Sequence, residues 1–203
     1  MNFVVRHPVE IAWRTLEHVQ LVTIALAVAC AIALPVGIFI ARNRRLGDVV
    51  LGGLNILYTI PSLALLALLV PLFGIGTTTA LIALVAYALM ILVRNVVAGI
   101  RGVPFALVDA ARGLGMSTRQ TLWRVEIPQA LPVMLGGVRL ATITLIALAT
   151  LASWVNAGGL GTLVLYGLQH DDPSRALAGS AIAAALAIAA DLALRRLENL
   201  VRT

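Results

Sequence analysis

Apolar residues run on in this chain rather than alternating or recurring on one face. Five segments, at residues 19–41, 49–72, 77–98, 131–155 and 173–194, are almost continuously apolar over at least 22 residues each. About 20 such residues, rising about 1.5 Å apiece, cross the hydrocarbon core of a bilayer, so each segment predicts a membrane-spanning helix. The two-residue alternation of an outer-membrane strand is missing, and a helix satisfies its own backbone inside a bilayer. The first run is too long for a signal-peptide core. Arg42-Asn43-Arg44-Arg45 follows it where a small-residue cleavage site would stand, so it reads as a retained span. The prediction is an all-α integral membrane protein with five transmembrane helices in a single domain, residues 1–203.

The pattern breaks at residues 99–130, a polar insert between the third and fourth spans. Pro104 can open a short helix carrying Asp109 and Arg112 at i,i+3. Gly113 and Gly115 then predict a reversal, since glycine enters the left-handed region without steric cost. Ser117-Thr118-Arg119-Gln120 spells a capping box that starts a second helix, with Leu122 and Val125 as its apolar stripe and Pro128 as its stop. Arg124 and Glu126 could equally be a solvated pair. At the other end of the chain, Asp172-Pro173 reads as an N-cap before the last span. Near the N-terminus, Pro8, Trp13 and an i,i+4 pair of Glu10 and Arg14 predict a short interfacial helix leading into the first span.

Composition agrees with membrane residence: 61% of residues are hydrophobic, 12% are charged, and the mean hydropathy is +1.00. The pI near 11.0 would point a soluble protein toward nucleic acid. Here the arginines flank spans, so membrane lipid is the expected partner and nucleic acid is not. If the 42–48 loop is cytoplasmic, twelve arginines lie inside, Arg202 among them, and only Arg6, Arg14 and Arg175 lie outside. The positive-inside rule then puts the N-terminus outside and the C-terminus in the cytoplasm. Cys30 reads as a small core residue, and the isolated histidines His7 and His18 lack metal-ligand spacing.

The insert carries a family resemblance. Asp109-Ala110-Ala111, Gly115, Val125-Glu126-Ile127-Pro128 and Pro132 resemble the EAA loop of ABC importer permeases, departing by Asp for Glu, Val for Ile and Ile for Leu. That resemblance implies two short cytosolic helices that dock in a cleft of an ATPase subunit. Asp109, Ala110, Ala111 and Gly115 would form or shape the contact. Arg112, Met116 and Arg119 would share its surface, and Pro128 would close the motif. It also implies a type I importer permease fold in a bacterial or archaeal cytoplasmic membrane. Two copies of the ATPase, a second permease copy or paralogue, and a separate extracytoplasmic binding protein would complete the assembly. The chain has no phosphate-cradling G-x-x-x-x-G-K-[ST] loop, so ATP and magnesium are expected on the partner ATPase, with no cofactor here and no catalytic or metal-binding residue.

Substrate class rests on a second resemblance. Residues 58–66 (YTIPSLALL), residues 71–76 (PLFGIG), Val93-Arg94-Asn95 and Ala157-Gly158-Gly159-Leu160-Gly161 are similar to the glycine betaine/carnitine/choline permeases of osmoprotectant importers. The likeness covers about residues 15–195, although methionine-type permeases share the Gly-Gly-Leu-Gly piece. It implies transport of a quaternary-ammonium solute, with an amino acid or another small solute as the alternative.

Within the second span, Pro61 removes an intrahelical bond and is expected to free the Leu57 carbonyl. Asn55, Tyr58, Thr59 and Ser62 surround that break. They fit either helix–helix hydrogen bonding or a pathway lining. Tyr58, Tyr87 and Trp154 could offer aromatic faces to a trimethylammonium group. Pro61, Gly158, Gly159 and Gly161 are candidate gate or hinge positions. The outer loop 156–172 reads as re-entrant or as a plain surface loop. An ion-coupled secondary transporter would place ionisable groups at mid-membrane. Arg139 and Asp191 are the candidates for that role, and both read as snorkelling interfacial groups.

Overall fold

The computed structural model describes residues 2–201, all of its regular elements helical. Arg202 lies outside the described residues. In chain order the helices are α1 (Asn2–Arg6), α2 (Pro8–Ala41), α3 (Arg44–Thr59), α4 (Ser62–Phe73), α5 (Thr77–Arg101), α6 (Phe105–Gly113), α7 (Thr118–Thr121), α8 (Ile127–Leu151), α9 (Gly161–Gln169) and α10 (Pro173–Val201). Four helical stretches are long and apolar enough to cross a bilayer: α2, α5, the run Thr118–Val155 containing α8, and α10. A fifth crossing is available only if α3 and α4 count together, and they meet at 96°.

That bend falls at the break expected at Pro61 within the second apolar segment. Pro61 cannot donate a backbone hydrogen bond and keeps the preceding residue out of the helical region. Ile60 is extended (φ −66°, ψ 127°), so α3 ends there. The Leu57 carbonyl is not left free, because the Ile60 N–H donates to it at 3.2 Å. The carbonyl that does need an outside partner is that of Ile60, and the Tyr87 hydroxyl of α5 donates to it.

The core sits where α2, α5 and α8 pack together. Ala25, Ala29 and Ala33 form an i,i+4 stripe on α2, meeting Leu84, Ala88 and Val93 of α5 and Ala141, Leu145 and Ala149 of α8. Gly37 extends the stripe, and a Cβ there would stand 2.6 Å from Val96 Cγ1. Small residues let helix backbones close up, which matters in lipid because dispersion rather than water exclusion holds helices together. A second cluster seats α4 (Leu65, Leu66) against Ala80, Ala83 and Tyr87 of α5.

The N-terminal expectation needs correction too. The segment that starts at Pro8 is not a separate short helix, since α2 runs unbroken from Pro8 for 34 residues; the short helix before it is the five-residue α1. At about 1.5 Å per residue α2 is longer than the thickness of a bilayer core, about 30 Å. Glu10 pairs with Arg175 instead of Arg14, and Arg14 pairs with Glu17 at 2.9 Å. The Glu10–Arg175 pair ties the start of α2 to α10, while Arg14–Glu17 lies within α2.

Arg139 and Asp191 are not independent snorkelling groups. They bond each other, and Arg139 also reaches Glu198 at 3.3 Å, clamping α8 to α10. The predicted N-cap holds: Asp172 Oδ1 accepts from the Arg175 N–H at 3.2 Å and from the Ser174 hydroxyl at 2.6 Å.

Candidate coupling loop and translocation face

The insert folds as helix, glycine turn and helix. Pro104 sits just outside α6 as its N-cap, one place earlier than a first-turn proline. At the far end the Gly115 N–H donates to the Arg112 carbonyl (2.9 Å) and the Met116 N–H to the Ala111 carbonyl (3.1 Å). With Gly115 at φ +78°, these two bonds make a Schellman motif. Gly113 ends the helix without a positive φ, so Gly115 alone makes the reversal. The capping box is present, with Ser117 Oγ accepting from the Gln120 N–H and Gln120 Oε1 accepting from the Ser117 N–H.

The loop displays a mixed surface. Asp109, Ala110, Arg112, Gly115 and Arg119 are exposed, Met116 is half-buried, and Phe105 and Leu114 stand 73% and 80% exposed. Asp109 and Arg112 are not ion-paired with each other in this structure. Ala111 is buried on the inward side and Thr121 likewise. So the signature residues divide: Ala111 and the glycine shape the hairpin, while Asp109 and Ala110 face outward.

Pro128 does not stop the second helix. A wide turn over Leu122–Glu126, in which the Ile127 N–H bonds the Leu122 carbonyl, leads directly into α8. Proline lacks an N–H, and at the start of α8 that lack costs little. The wide turn also rotates Glu126 inward. Glu126 is 8% exposed and bonds Arg42 at 2.8 Å, so it is no solvated partner of Arg124. Beside it Arg101 Nε and Nη2 donate to the Ala41 and Ile40 carbonyls at 3.0 and 3.2 Å, satisfying the end of α2. Sequence reasoning missed Arg42, Arg101 and Glu126 as a group. Their partners lie 60 to 84 residues away, and a buried glutamate reads like any other in one sequence.

The pathway candidates separate as well. Asn55 and Tyr58 of α3 line a recess with Met90, Arg94 and Asn95 of α5 and Leu140 of α8. Tyr58 meets Tyr87 edge-on at 5.6 Å between ring centres. Tyr87 itself is buried and holds the Ile60 carbonyl at the bend. Thr59 donates its hydroxyl back to the Ile56 carbonyl, and Ser62 opens α4 beside Leu66 and Tyr87. Trp154 lies on the 3₁₀ turn Ala152–Val155, 59% exposed, and does not line the recess.

Beyond α8, Gly158 and Gly159 have φ of +84° and +79°. The Gly159 N–H donates to Glu17 at 2.9 Å, pinning the loop to α2. His18, fully buried, bonds the Ile146 carbonyl through Nε2 at 3.1 Å. Gly161 has a different job: a Cβ there would stand 2.0 Å from the Thr150 carbonyl oxygen, so its value is close packing of α9 on α8. The loop 156–172 contains α9, a nine-residue helix packed on α10, too short to cross a bilayer.

A family model described as the inner membrane component of binding-protein-dependent transport systems matches residues 33–203. The chain belongs to that family. It is thus a multi-pass protein of the cytoplasmic membrane and a permease subunit rather than an enzyme, and the ion-coupled alternative falls away. The carnitine transport permease OpuCB of Listeria monocytogenes is 40% identical over 185 residues, covering 91% of this chain and 85% of that protein. The osmoprotectant import permease OsmW of Salmonella typhimurium is 41% identical, covering 91% and 88%. The glycine betaine/carnitine/choline permease OpuCB of Bacillus subtilis is 36% identical, covering 99% and 93%. Among solved structures, an inward-facing MetNI methionine ABC transporter aligns with a TM-score of 0.86 at 24% identity, covering 96% of this chain and 98% of that one. The fold is that of type I ABC importer permeases.

Proposed function

We propose that this chain is the permease of an ATP-driven importer of quaternary-ammonium osmoprotectants such as glycine betaine, carnitine or choline. The observation that carries the coupling part is the rigid hairpin α6–α7. Its turn is fixed by a Schellman glycine and a capping box, and it presents exposed apolar and small residues where no part of this chain covers them. The substrate part is supported by relatives named for carnitine, choline and osmoprotectants at 36–41% identity.

In this reading the N-terminus is outside, the C-terminus is cytoplasmic, and the α3–α4 pair forms the second of five crossings. Two ATPase copies bind the hairpins of a permease pair, which is either a homodimer or two paralogues. ATP and magnesium sit on the ATPase. A separate binding protein delivers solute from outside. Asp109, Ala110, Ala111, Arg112, Gly115, Met116 and Arg119 meet the ATPase, and Pro128 lies where the loop joins α8. Closure of the ATPases then moves the hairpin, and the Arg42–Glu126 pair and the Arg101 cap carry that motion to α2 and α5. Pro61, Gly158 and Gly159 are where the chain can bend as the pathway alternates. Asn55, Tyr58, Thr59 and Ser62 stand nearest the route on α3 and α4, with Tyr87 supporting the bend.

The test is reconstitution with the cognate ATPase and binding protein, followed by ATP-dependent uptake of labelled betaine, carnitine and choline. Gly115→Val in the same system examines coupling. No atom lies within 4 Å of an added Cβ, so the variant acts through backbone strain, about 1–2 kcal/mol for a left-handed residue and more for a branched one. It is expected to lose ATPase co-purification or uptake. Intact assembly and intact uptake in Gly115→Val would refute the coupling role.

A further inference from the structure

Arg94 stands apart from the other arginines of the membrane-embedded body. Arg42, Arg101 and Arg139 each hold a carboxylate or a helix terminus, and Arg14 and Arg175 pair with Glu17 and Glu10. Among the described residues the Arg94 guanidinium makes no ion pair and no hydrogen bond. It is exposed on α5, a helix whose neighbouring residues Ile91, Leu92, Val93, Val96 and Val97 are all buried. Arg94 precedes the end of α5 by seven residues, about 10 Å at the helical rise, and the apolar residues Val96, Val97 and Ile100 lie between it and that end. An ionisable group there is costly unless a partner offsets it, which is why such groups mark pathways.

The surroundings of Arg94 say what kind of partner fits. The recess it lines has a volume of about 200 Å³, and no carboxylate borders it. Polar groups reach it from two helices: Asn55 and Tyr58 from α3, Asn95 from α5. Asn95 is held in place, donating to the Ile91 carbonyl at 2.8 Å, and it packs where Gly137 leaves room, since a Cβ there would stand 2.5 Å from Asn95 Cβ. Pockets for drug-sized ligands measure about 300–1,000 Å³, so this recess suits a compact solute. Its one full charge is positive, and an aromatic ring stands at its α3 side. An arginine fork binds a carboxylate through two parallel N–H donors, while a tyrosine face attracts a quaternary ammonium.

We infer that this recess is a substrate subsite in which Arg94 receives the carboxylate of a zwitterionic solute and Tyr58 faces its trimethylammonium group, so that the permease favours betaine and carnitine over choline. Choline carries the cation without the anion; in the recess it meets the Arg94 charge as repulsion and gains no bond in return. This assignment rests on the osmoprotectant reading above.

The test measures betaine and choline uptake in the same proteoliposomes, with one binding protein delivering both. The ratio of the two rates therefore isolates the permease and corrects for the amount of folded complex. Arg94→Gln is expected to lower the betaine-to-choline ratio by about tenfold or more, the worth of a hydrogen bond to a charged group. Arg94→Lys keeps the charge but loses the fork, and gives a ratio between those of the wild type and Arg94→Gln. Asn55→Asp places a competing carboxylate beside Arg94 and lowers the ratio in the same direction, which gives a second route should Arg94→Gln fail to assemble. An equal effect on both solutes, total loss of both included, in Arg94→Gln and in Asn55→Asp overturns the assignment. That is the outcome expected if Arg94 merely holds a lipid phosphate or a partner subunit. If the wild-type complex imports neither compound, the osmoprotectant reading fails first and the subsite falls with it.

Discussion

Replacing Gly161 by alanine tests the packing that fixes α9 against α8. An added Cβ would lie 2.0 Å from the Thr150 carbonyl oxygen, 2.7 Å from its carbon and 2.8 Å from its Cα. All three are main-chain atoms of α8, so no side chain can swing aside. To regain ordinary contact α9 must retreat by more than about 1 Å. Leu160 and Leu163, both fully buried against Phe3, Ala178 and Ala183, retreat with it. Overpacking typically costs about 1–3 kcal/mol, and a backbone obstacle puts this case at the upper end. At about 2–4 °C per kcal/mol for a chain of this size, the melting temperature falls by roughly 6–12 °C. The assay is thermal unfolding of the detergent-solubilised permease, followed by tryptophan fluorescence. Gly136→Ala is the control, since the nearest atom to its Cβ is Glu198 Oε1 at 4.0 Å. If Gly161→Ala melts no lower than Gly136→Ala, the close approach of α9 to α8 is not real.

Two further outcomes follow from ion pairs and caps. Arg42→Ala strands Glu126, whose side chain is 11% exposed, while Arg42 at 38% loses less; the net cost is about 1–2 kcal/mol, between the surface and buried limits. The double variant Arg42→Ala/Glu126→Ala should melt higher than the two single losses added together predict, because no carboxylate is left unpaired. Hydrogen bonds from the Ser174 hydroxyl and the Arg175 N–H hold the Asp172 carboxyl below its ordinary range. A depressed folded value means its stabilisation is present above the unfolded value and is lost as the pH falls through the folded one. Asp172→Asn should therefore flatten the acid limb of a melting-versus-pH curve, and an unchanged limb counts against the cap.

Much of this protein is legible along the chain because the bilayer makes local composition decisive. An apolar run of span length has to be helical wherever it lies in lipid, and four of the predicted segments fall in helices long and apolar enough to cross a bilayer. Caps are equally local: the Ser117 box and the Asp172 cap each need residues within three positions, and both are present. The family signature is local too, since Asp109-Ala110-Ala111, Gly115 and Pro128 keep their spacing in one sequence.

Errors arose where a residue's effect depends on what stands opposite it. Pro61 announces a break, but the 96° turn is stabilised by a tyrosine hydroxyl from α5 that no pattern in α3 reveals. Pro128 looks like a stop, yet a widened turn absorbs it and turns Glu126 toward Arg42, 84 residues away. Gly158, Gly159 and Gly161 read alike in the sequence. Two of them supply left-handed backbone and the third supplies a missing Cβ, a distinction set by the Thr150 carbonyl. Arg94 counts as one more inside arginine until tertiary packing leaves it unpaired in a recess. Sequence alone determined which segments are long and apolar enough to cross a bilayer and where the α6–α7 hairpin caps itself, because lipid solvation and capping act over one helix at a time. Which charges are satisfied and which are left open was decided only by packing, because a pair needs two surfaces brought together from distant parts of the chain.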